Sequence, residues 1–332
     1  MNKLGIPNLD KQLELSLISD MEKVEKLLRT HIEGEHPLVV ETSRHLINAG
    51  GKRLRPLLSI LAGKFGIEET DEIIKAAVVC ELTHLATLYH DDVMDDAVLR
   101  RGVTSANKKW SNAVAILTGD YLFSKASDLL ADLKPEFVQE AVHLQAKTFE
   151  RLVIGQINET QGASGGLKQI DHYLKVVSDK TGSLIGTSAR LGAILARAKP
   201  EIVDILTKYG EKVGLLFQVS DDLIDIASSE MDSGKTPGTD LREGIPTLVT
   251  LYVIEANNPE DKELISKLNS KISDEELPAI IKQLRSHKVL QQVKNYLQQV
   301  ADESIDLLAD LPDCPAKEAL KNLTYSLVSR SA

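Results

Sequence analysis

Apolar residues recur along most of the chain at the three-and-four spacing of amphipathic helices, with charged side chains between them. The pattern predicts helices near 9–33, 36–49, 54–65, 71–95, 110–132, 135–161, 169–196, 200–227, 243–256, 260–268, 274–285, 287–310 and 315–329. Glycine (20) and proline (11) collect between these segments, where chain breakers belong. Ser273-Asp274-Glu275-Glu276 reads as a capping box, and Pro312 and Pro315 punctuate the last turn. No stretch alternates with period two between hairpin turns, so the expected fold class is all-α.

Two segments depart from the amphipathic pattern. Residues 73–89 and 202–224 are apolar around most of the helix circumference, which marks helices enclosed by others. Each ends in aspartates. They predict the walls of a deep central cavity in one large helical bundle, a single domain over 1–332 with the charged segment 259–332 as cladding. Ser228–Gly244 is the longest loop expected, and loops of such length are often functional.

Composition removes several classes. With 39 basic and 49 acidic residues the net charge is −10, which opposes general nucleic-acid binding. No apolar run reaches the roughly 18–20 residues of a membrane helix. The N-terminal segment lacks a signal peptide's uninterrupted apolar core, so a cytoplasmic chain that starts here is expected. Cys80 and Cys314 provide neither a disulfide framework nor a zinc cluster. Cys80, His90 and Trp110 each read as packing residues.

The candidate chemistry lies in a repeated motif. Asp91-Asp92-Val93-Met94-Asp95 and Asp221-Asp222-Leu223-Ile224-Asp225 are both D-D-x-x-D, with the outer aspartates on one helix face. Carboxylates so placed repel unless a cation lies between them. Mg²⁺ accepts such hard oxygen ligands and keeps positions for phosphates. One such motif is more often a solvated acidic helix end; two, 130 residues apart and each closing an apolar helix, point to a shared site. Basic residues occur at matching places: Arg100-Arg101, the glycine-opened turn Gly50-Gly51-Lys52-Arg53-Leu54-Arg55-Pro56, Lys180-Thr181-Gly182 interrupting a helix, and Gly234-Lys235. Singly, each is more often a surface charge; together with the carboxylates they describe a site for diphosphates bridged by Mg²⁺.

In these motifs the sequence resembles the trans-isoprenyl diphosphate synthases, the polyprenyl synthetase family. The match runs in family order through Gly50–Pro56, Asp91–Gly102, Gly155-Gln156, Lys180–Gly182, Phe217–Asp225 and Gly234–Asp240, roughly residues 20–255. The stretches LATLYHDD and GKTPGTDLREG look most like bacterial long-chain polyprenyl synthases. The resemblance implies an all-α homodimer that joins an allylic diphosphate (geranyl, farnesyl or geranylgeranyl) head-to-tail to isopentenyl diphosphate with three Mg²⁺. It makes Asp91 and Asp95 ligands of two ions, with Asp92 in support. Asp221 ligates the third, and Asp225 reaches it directly or through water. Arg100, Lys180 and Lys235 hold the allylic diphosphate; Lys52, Arg55, His84 and Arg101 hold isopentenyl diphosphate, with Arg53 in a supporting role. Thr181 and Gln218 present oxygens to the developing allylic cation. No residue reads as a dedicated general base.

One position departs from the family pattern. Ile245 stands where relatives often carry a second flap lysine, and Arg242 is the nearby cation available to compensate. Product length is expected from the helix below Asp91. Ala86 lies five residues back, about 7.5 Å along the axis, where aromatic side chains in the family restrict products to C15–C20. Ala86 and Thr87 are small, and Thr83, Leu82 and Val79 follow without an aromatic plug. An open gate predicts a product of about C30–C50, for delivery to a membrane. The rivals are a short-chain synthase, a class I terpene cyclase and a non-catalytic subunit. Retention of Asp221–Asp225 and Gly50–Pro56 weighs against the last two.

Overall fold

The structure, a computed structural model, describes residues 4–34, 36–67, 71–163, 166–227 and 237–330. The helices are α1 (Lys11–His31), α2 (Pro37–Asn48), α3 (Leu54–Gly63), α4 (Asp71–Met94), α5 (Ala106–Lys109), α6 (Asn112–Ala131), α7 (Pro135–Gln161), α8 (Gln169–Val177), α9 (Ser183–Leu195) and α10 (Pro200–Ala227). There follow α11 (Thr239–Glu243), α12 (Leu248–Ala256), α13 (Lys262–Leu268), α14 (Leu277–Ser286), α15 (Val289–Leu307) and α16 (Pro315–Ser329). Every helix expected from the periodicity has a counterpart, and the fold is an all-α bundle.

Three local differences have physical causes. The helix expected over 169–196 is divided by a π-helical turn, Ser178–Gly182, between α8 and α9. Gly244, at φ 71°, and Pro246 delay the helix expected from residue 243 until Leu248. Between α4 and α5 the strands β1 (Leu99–Arg100) and β2 (Val103–Thr104) form a hairpin too short to show alternation. Its two loop residues, Arg101 and Gly102, both have positive φ, as a two-residue primed turn requires. The capping box is present, with Ser273 and Glu276 exchanging bonds of 3.3 and 3.4 Å, one turn ahead of the regular helix.

The two nearly all-apolar helices are central. α4 packs on α3, α6 and α9, and α10 on α9, α15 and α16. α10 approaches α9 and the π-turn backbone to backbone: a Cβ on Gly214 would lie 2.6 Å from the Gly182 Cα, and one on Gly210 2.9 Å from the Gly186 Cα. Buried tyrosines tie these helices to their neighbours by the hydroxyl. Tyr89 on α4 donates to the Thr42 carbonyl, and Tyr209 on α10 donates to the Leu320 carbonyl at 2.7 Å. The apolar core runs without a break from Ile6 to Leu327. On α6 and α7, Ile116, Leu117, Val142, Val153, Ile154 and Ile157 remain exposed. Among the described residues no helix is long and apolar enough to cross a membrane.

Candidate active site

α4 delivers the first aspartate cluster. Asp91 and Asp95 share a face of its end, Asp91 half-buried and Asp95 at the exposed rim. Among the described residues neither carboxylate has a side-chain hydrogen-bond or ion-pair partner. Burial pushes Asp91 up to about 6, opposed by the positive charge of Lys180 and reinforced by Asp95. Asp95 is also raised, by loss of solvent around it. Asp92 turns the other way, fully buried, and accepts from the Arg100 Nε at 2.6 Å, which aims Arg100 from the hairpin. Its second oxygen is buried without a partner among the described residues. Asp96 is drawn off by Lys108 at 2.6 Å.

α10 delivers the second cluster into different company. Asp221 Oδ1 meets Lys52 Nζ at 3.2 Å and Arg330 Nη2 at 3.3 Å, and both cations lie over the Phe217 ring. Asp222 is buried; it accepts from the Tyr173 hydroxyl at 2.5 Å and Gln218 Nε2 at 2.9 Å, and burial pushes it up to about 6. Asp225 accepts from the backbone amides of Thr239 and Asp240, each at 3.2 Å, and so ties α11 to α10. Glu243, at the end of α11, has its carboxyl raised first by burial and then by the charge of Asp95.

The glycine-opened turn builds an arginine nest. Gly50 and Gly51 adopt φ of 87° and 145°, and a Cβ on Gly51 would lie 2.9 Å from the Arg101 Cζ. Arg53 is wholly committed: it donates to Glu25 at 2.5 Å, Glu81 at 2.8 Å and the carbonyls of Gly50 and Ile47. Arg101 donates to the carbonyls of Leu46 and Gly50 and lies 3.7 Å from Glu81. Arg55 is lowered to about 10 by burial, against the pull of Glu81, and its Nε is buried without a partner among the described residues. His84 is held well below the usual imidazole range by burial and then by Arg55 and Arg101, so it is neutral at pH 7.

The π-turn contributes the third group. Such bulges commonly mark functional sites. Lys180 pairs with Glu159 at 2.5 Å, while Thr181 Oγ1 donates to Gln218 Oε1 at 3.1 Å. α7 approaches this turn through Gly155, where a Cβ would lie 3.0 Å from the Lys180 nitrogen.

Several sequence expectations need adjusting. Lys52, expected to hold isopentenyl diphosphate with Arg55, His84 and Arg101, pairs with Asp221 at 3.2 Å. Arg242, the cation nearest the missing flap lysine, pairs with Asp274 at 2.7 Å, and Ile245 is exposed. The segment 259–332 is more than cladding, because the end of α16 carries Arg330 to Asp221. Lys235 lies outside the described residues. Ala86 and Thr83 have no exposed surface and Thr87 is half-buried; the Ala86 carbonyl would lie 3.1 Å from a Cβ on Gly119 of α6. His90 turns to α6, where it contacts the Ile116 carbonyl at 3.1 Å and the Phe123 ring. Cys80 is buried, and Trp110 packs edge-on against His45.

Sequence reasoning misses Glu81 and Arg330. Glu81 is detectable as a lone acid inside an otherwise apolar run. Arg330 carries no signal, since only folding brings it across 109 residues to Asp221. A cavity of about 720 Å³ opens elsewhere, on the outer side of α2 between Arg44, His45 and Lys109, and shares no residue with this site.

Comparison with known proteins gives the same family. The polyprenyl synthetase family model matches residues 36–285. The nonaprenyl diphosphate synthase of Mycobacterium tuberculosis is 43% identical over 328 residues, 98% of this chain and 97% of that protein. Two solved structures superpose over nearly the full length. One is geranylgeranyl pyrophosphate synthase of Corynebacterium glutamicum complexed with calcium and isoprenyl diphosphate (TM-score 0.86, 41% identity, 97% of this chain and 98% of that one). The other is a decaprenyl diphosphate synthase of Rhodobacter capsulatus (TM-score 0.87, 30% identity, 97% and 99%). The alignments span almost the whole chain, both aspartate helices included, so the chain belongs to the polyprenyl synthetase family and is a prenyltransferase.

Proposed function

We propose that this enzyme adds isopentenyl diphosphate repeatedly, head-to-tail, to an allylic diphosphate and releases a long all-trans polyprenyl diphosphate, of about C30–C50. The observation that carries the reading is Asp91 and Asp95: two carboxylates on one face, unpartnered among the described residues, within the field of Lys180 and Arg100. Such a pair is costly alone and suits a divalent cation that also holds phosphate oxygens. Asp221 and Asp225 complete the oxygen set, and three Mg²⁺ are the expected complement. The calcium and isoprenyl diphosphate in the Corynebacterium structure accord with that donor chemistry.

When bound, Mg²⁺ would neutralise charge on the departing diphosphate. The protein's own residues do the rest. Arg100, fixed by Asp92, and Lys180 face the same leaving group, and Lys235 is assigned there from the sequence. Arg55, Arg101 and neutral His84 form the second diphosphate pocket, with Lys52 joining them from Asp221. Holding both substrates side by side makes the attack effectively intramolecular. The linked Thr181 and Gln218 oxygens lie where an allylic cation would develop. Apolar walls exclude the water that would quench it.

The whole chain, 1–332, acts as one domain in this reading. The exposed apolar side chains of α6 and α7 supply the surface for a homodimer, and the enzyme works in the cytoplasm and delivers its product to a membrane. Small residues at Ala86 and Thr87 favour long products, as do the nonaprenyl and decaprenyl relatives. The test is an assay with radiolabelled isopentenyl diphosphate, farnesyl diphosphate and Mg²⁺, with the products sized. Chains beyond C30 are expected. Products ending at C15–C20 would replace this reading with a short-chain synthase, cyclised hydrocarbon with a cyclase, and no turnover with a non-catalytic subunit.

A further inference from the structure

We propose that Gln145 determines product length, as a polar latch that closes the hydrocarbon channel until the growing chain breaks it. The inference rests on the chain-elongation reading above. Gln145 lies on α7, and its Nε2 donates to Thr83 Oγ1 on α4 at 2.5 Å. The Gln145 Oε1 is buried and has no hydrogen-bond partner among the described residues. Beside this pair, Thr148 on α7 and Thr187 on α9 share a hydroxyl–hydroxyl bond of 2.6 Å. All four residues are buried.

The depth of this belt is set by the helices that carry it. α4 presents Asp91 at the mouth, and Thr83 lies eight residues back, about 12 Å along the axis. α7 packs Gly155 against Lys180 at the mouth, and Gln145 lies ten residues back, about 15 Å below. α9 descends from Thr181 to Thr187. The three elements that meet around the diphosphates are thus tied together again at a common level beneath them. By ordinary bond lengths an extended isoprene unit spans about 4.5–5 Å, so roughly two and a half units fit above the belt.

A channel that only had to hold hydrocarbon would be lined with apolar side chains. On the path proposed for the growing chain stands an amide whose carbonyl has no hydrogen-bond partner among the described residues, and no step in the condensation uses that amide. Hydrocarbon cannot replace the Gln145–Thr83 bond, so each chain that grows past it must break that bond without compensation. Elongation should slow at that point, and shorter intermediates should be released there.

The test compares three variants with the wild type, using geranyl diphosphate, labelled isopentenyl diphosphate and Mg²⁺, with products sized and Tm recorded. Gln145→Leu keeps the bulk and removes the bond; Gln145→Ala removes both; Gln145→Phe fills the channel. Leu and Ala should both lower the share of C15–C20 material about threefold or more, and Phe should truncate at C20 or below, with the first condensation unchanged within about twofold. Lengthening by Ala alone would make Gln145 a simple filler and overturn the latch. Wild-type profiles from both Leu and Ala would overturn any role in length. A wild type that stops at C20 but lengthens in Leu would support the latch while overturning the long-chain reading.

Discussion

α4 and α10 carry the same motif in the same register, yet their surroundings differ in kind. Ten residues before the first aspartate each helix has a glutamate, Glu81 on α4 and Glu211 on α10, and each glutamate holds an arginine. Glu81 is buried beneath Arg53, Arg55 and Arg101, whereas Glu211 meets a half-exposed Arg151 at 2.6 Å. Seven residues before, α4 has His84 among the arginines and α10 has Gly214 against the π-turn. At the motif itself Asp91 and Asp95 stand without partners among the described residues, while Asp221 already holds Lys52 and Arg330 and Asp225 holds two backbone amides. Identical motifs therefore do not imply identical sites. α4 is built to receive charge from outside, and α10 is provisionally satisfied by the chain.

The largest effect should separate these two helices. Asp91→Ala or Asp95→Ala removes a ligand with no substitute and should lower kcat by about a thousandfold or more. The fold should survive, because the neighbouring like charges are relieved. Asp221→Ala should also lower kcat by orders of magnitude, and in addition it removes the carboxylate that Lys52 and Arg330 share, so metal-free binding of isopentenyl diphosphate should change only in that variant. Steady-state kinetics with titration calorimetry would check both. Near-normal turnover in all three variants would remove the metal assignment.

Next in size is the contrast between the two glutamates. Glu81→Gln leaves three guanidinium groups short of a counter-charge and able to reorient, and should raise the KM for isopentenyl diphosphate about tenfold or more with a smaller change in kcat. Glu81→Asp should recover part of it. Glu211→Gln breaks a solvent-screened pair and should change stability by about 1 kcal/mol or less, with kinetics unaltered. Equal losses from both would mean that Glu81 is structural only.

How much is legible in the sequence follows the same division. Helix periodicity depends on short-range burial, so the bundle and the central place of α4 and α10 can be read directly. The aspartates can be read because a repeated like-charge pair at the end of an apolar helix has few other uses. The pairing of Lys52 with Asp221 is not legible, because position in a basic turn says nothing about which carboxylate a flexible side chain reaches. Arg330 is invisible because its contact with Asp221 is purely tertiary. The small size of Ala86 can be read from the sequence, but the packing of α6 beside it, where Gly119 faces the Ala86 carbonyl, cannot.

Arg330→Ala should have a moderate effect. The side chain shares Asp221 with Lys52 and lies over Phe217. Its loss should raise the KM for isopentenyl diphosphate about tenfold or less. Rescue by Arg330→Lys should be incomplete, because one ammonium cannot reproduce the guanidinium fork. An unchanged KM would confine Arg330 to holding α16 on α10.

The smallest effect concerns His84, for which α10 has no counterpart. Burial first, and then Arg55, Arg101 and the neighbouring arginines, hold its imidazole well below the usual value of 6.5. The folded chain therefore binds this proton more weakly than the unfolded chain does. The linked stability is fully present above pH 6.5 and is lost as the pH falls below it towards the folded value. As the pH falls below 6.5 the unfolded chain takes up this proton while the folded chain resists it, so the folded state loses stability. Urea unfolding of the wild type and of His84→Gln at pH 7.5 and 5.5 isolates this contribution, because every other titrating group is common to both proteins. The wild type should lose more stability than the variant between the two pH values. If both lose the same amount, His84 is not held neutral by the arginine nest, and the contrast between a charge-receiving α4 and a self-satisfied α10 loses one of its supports.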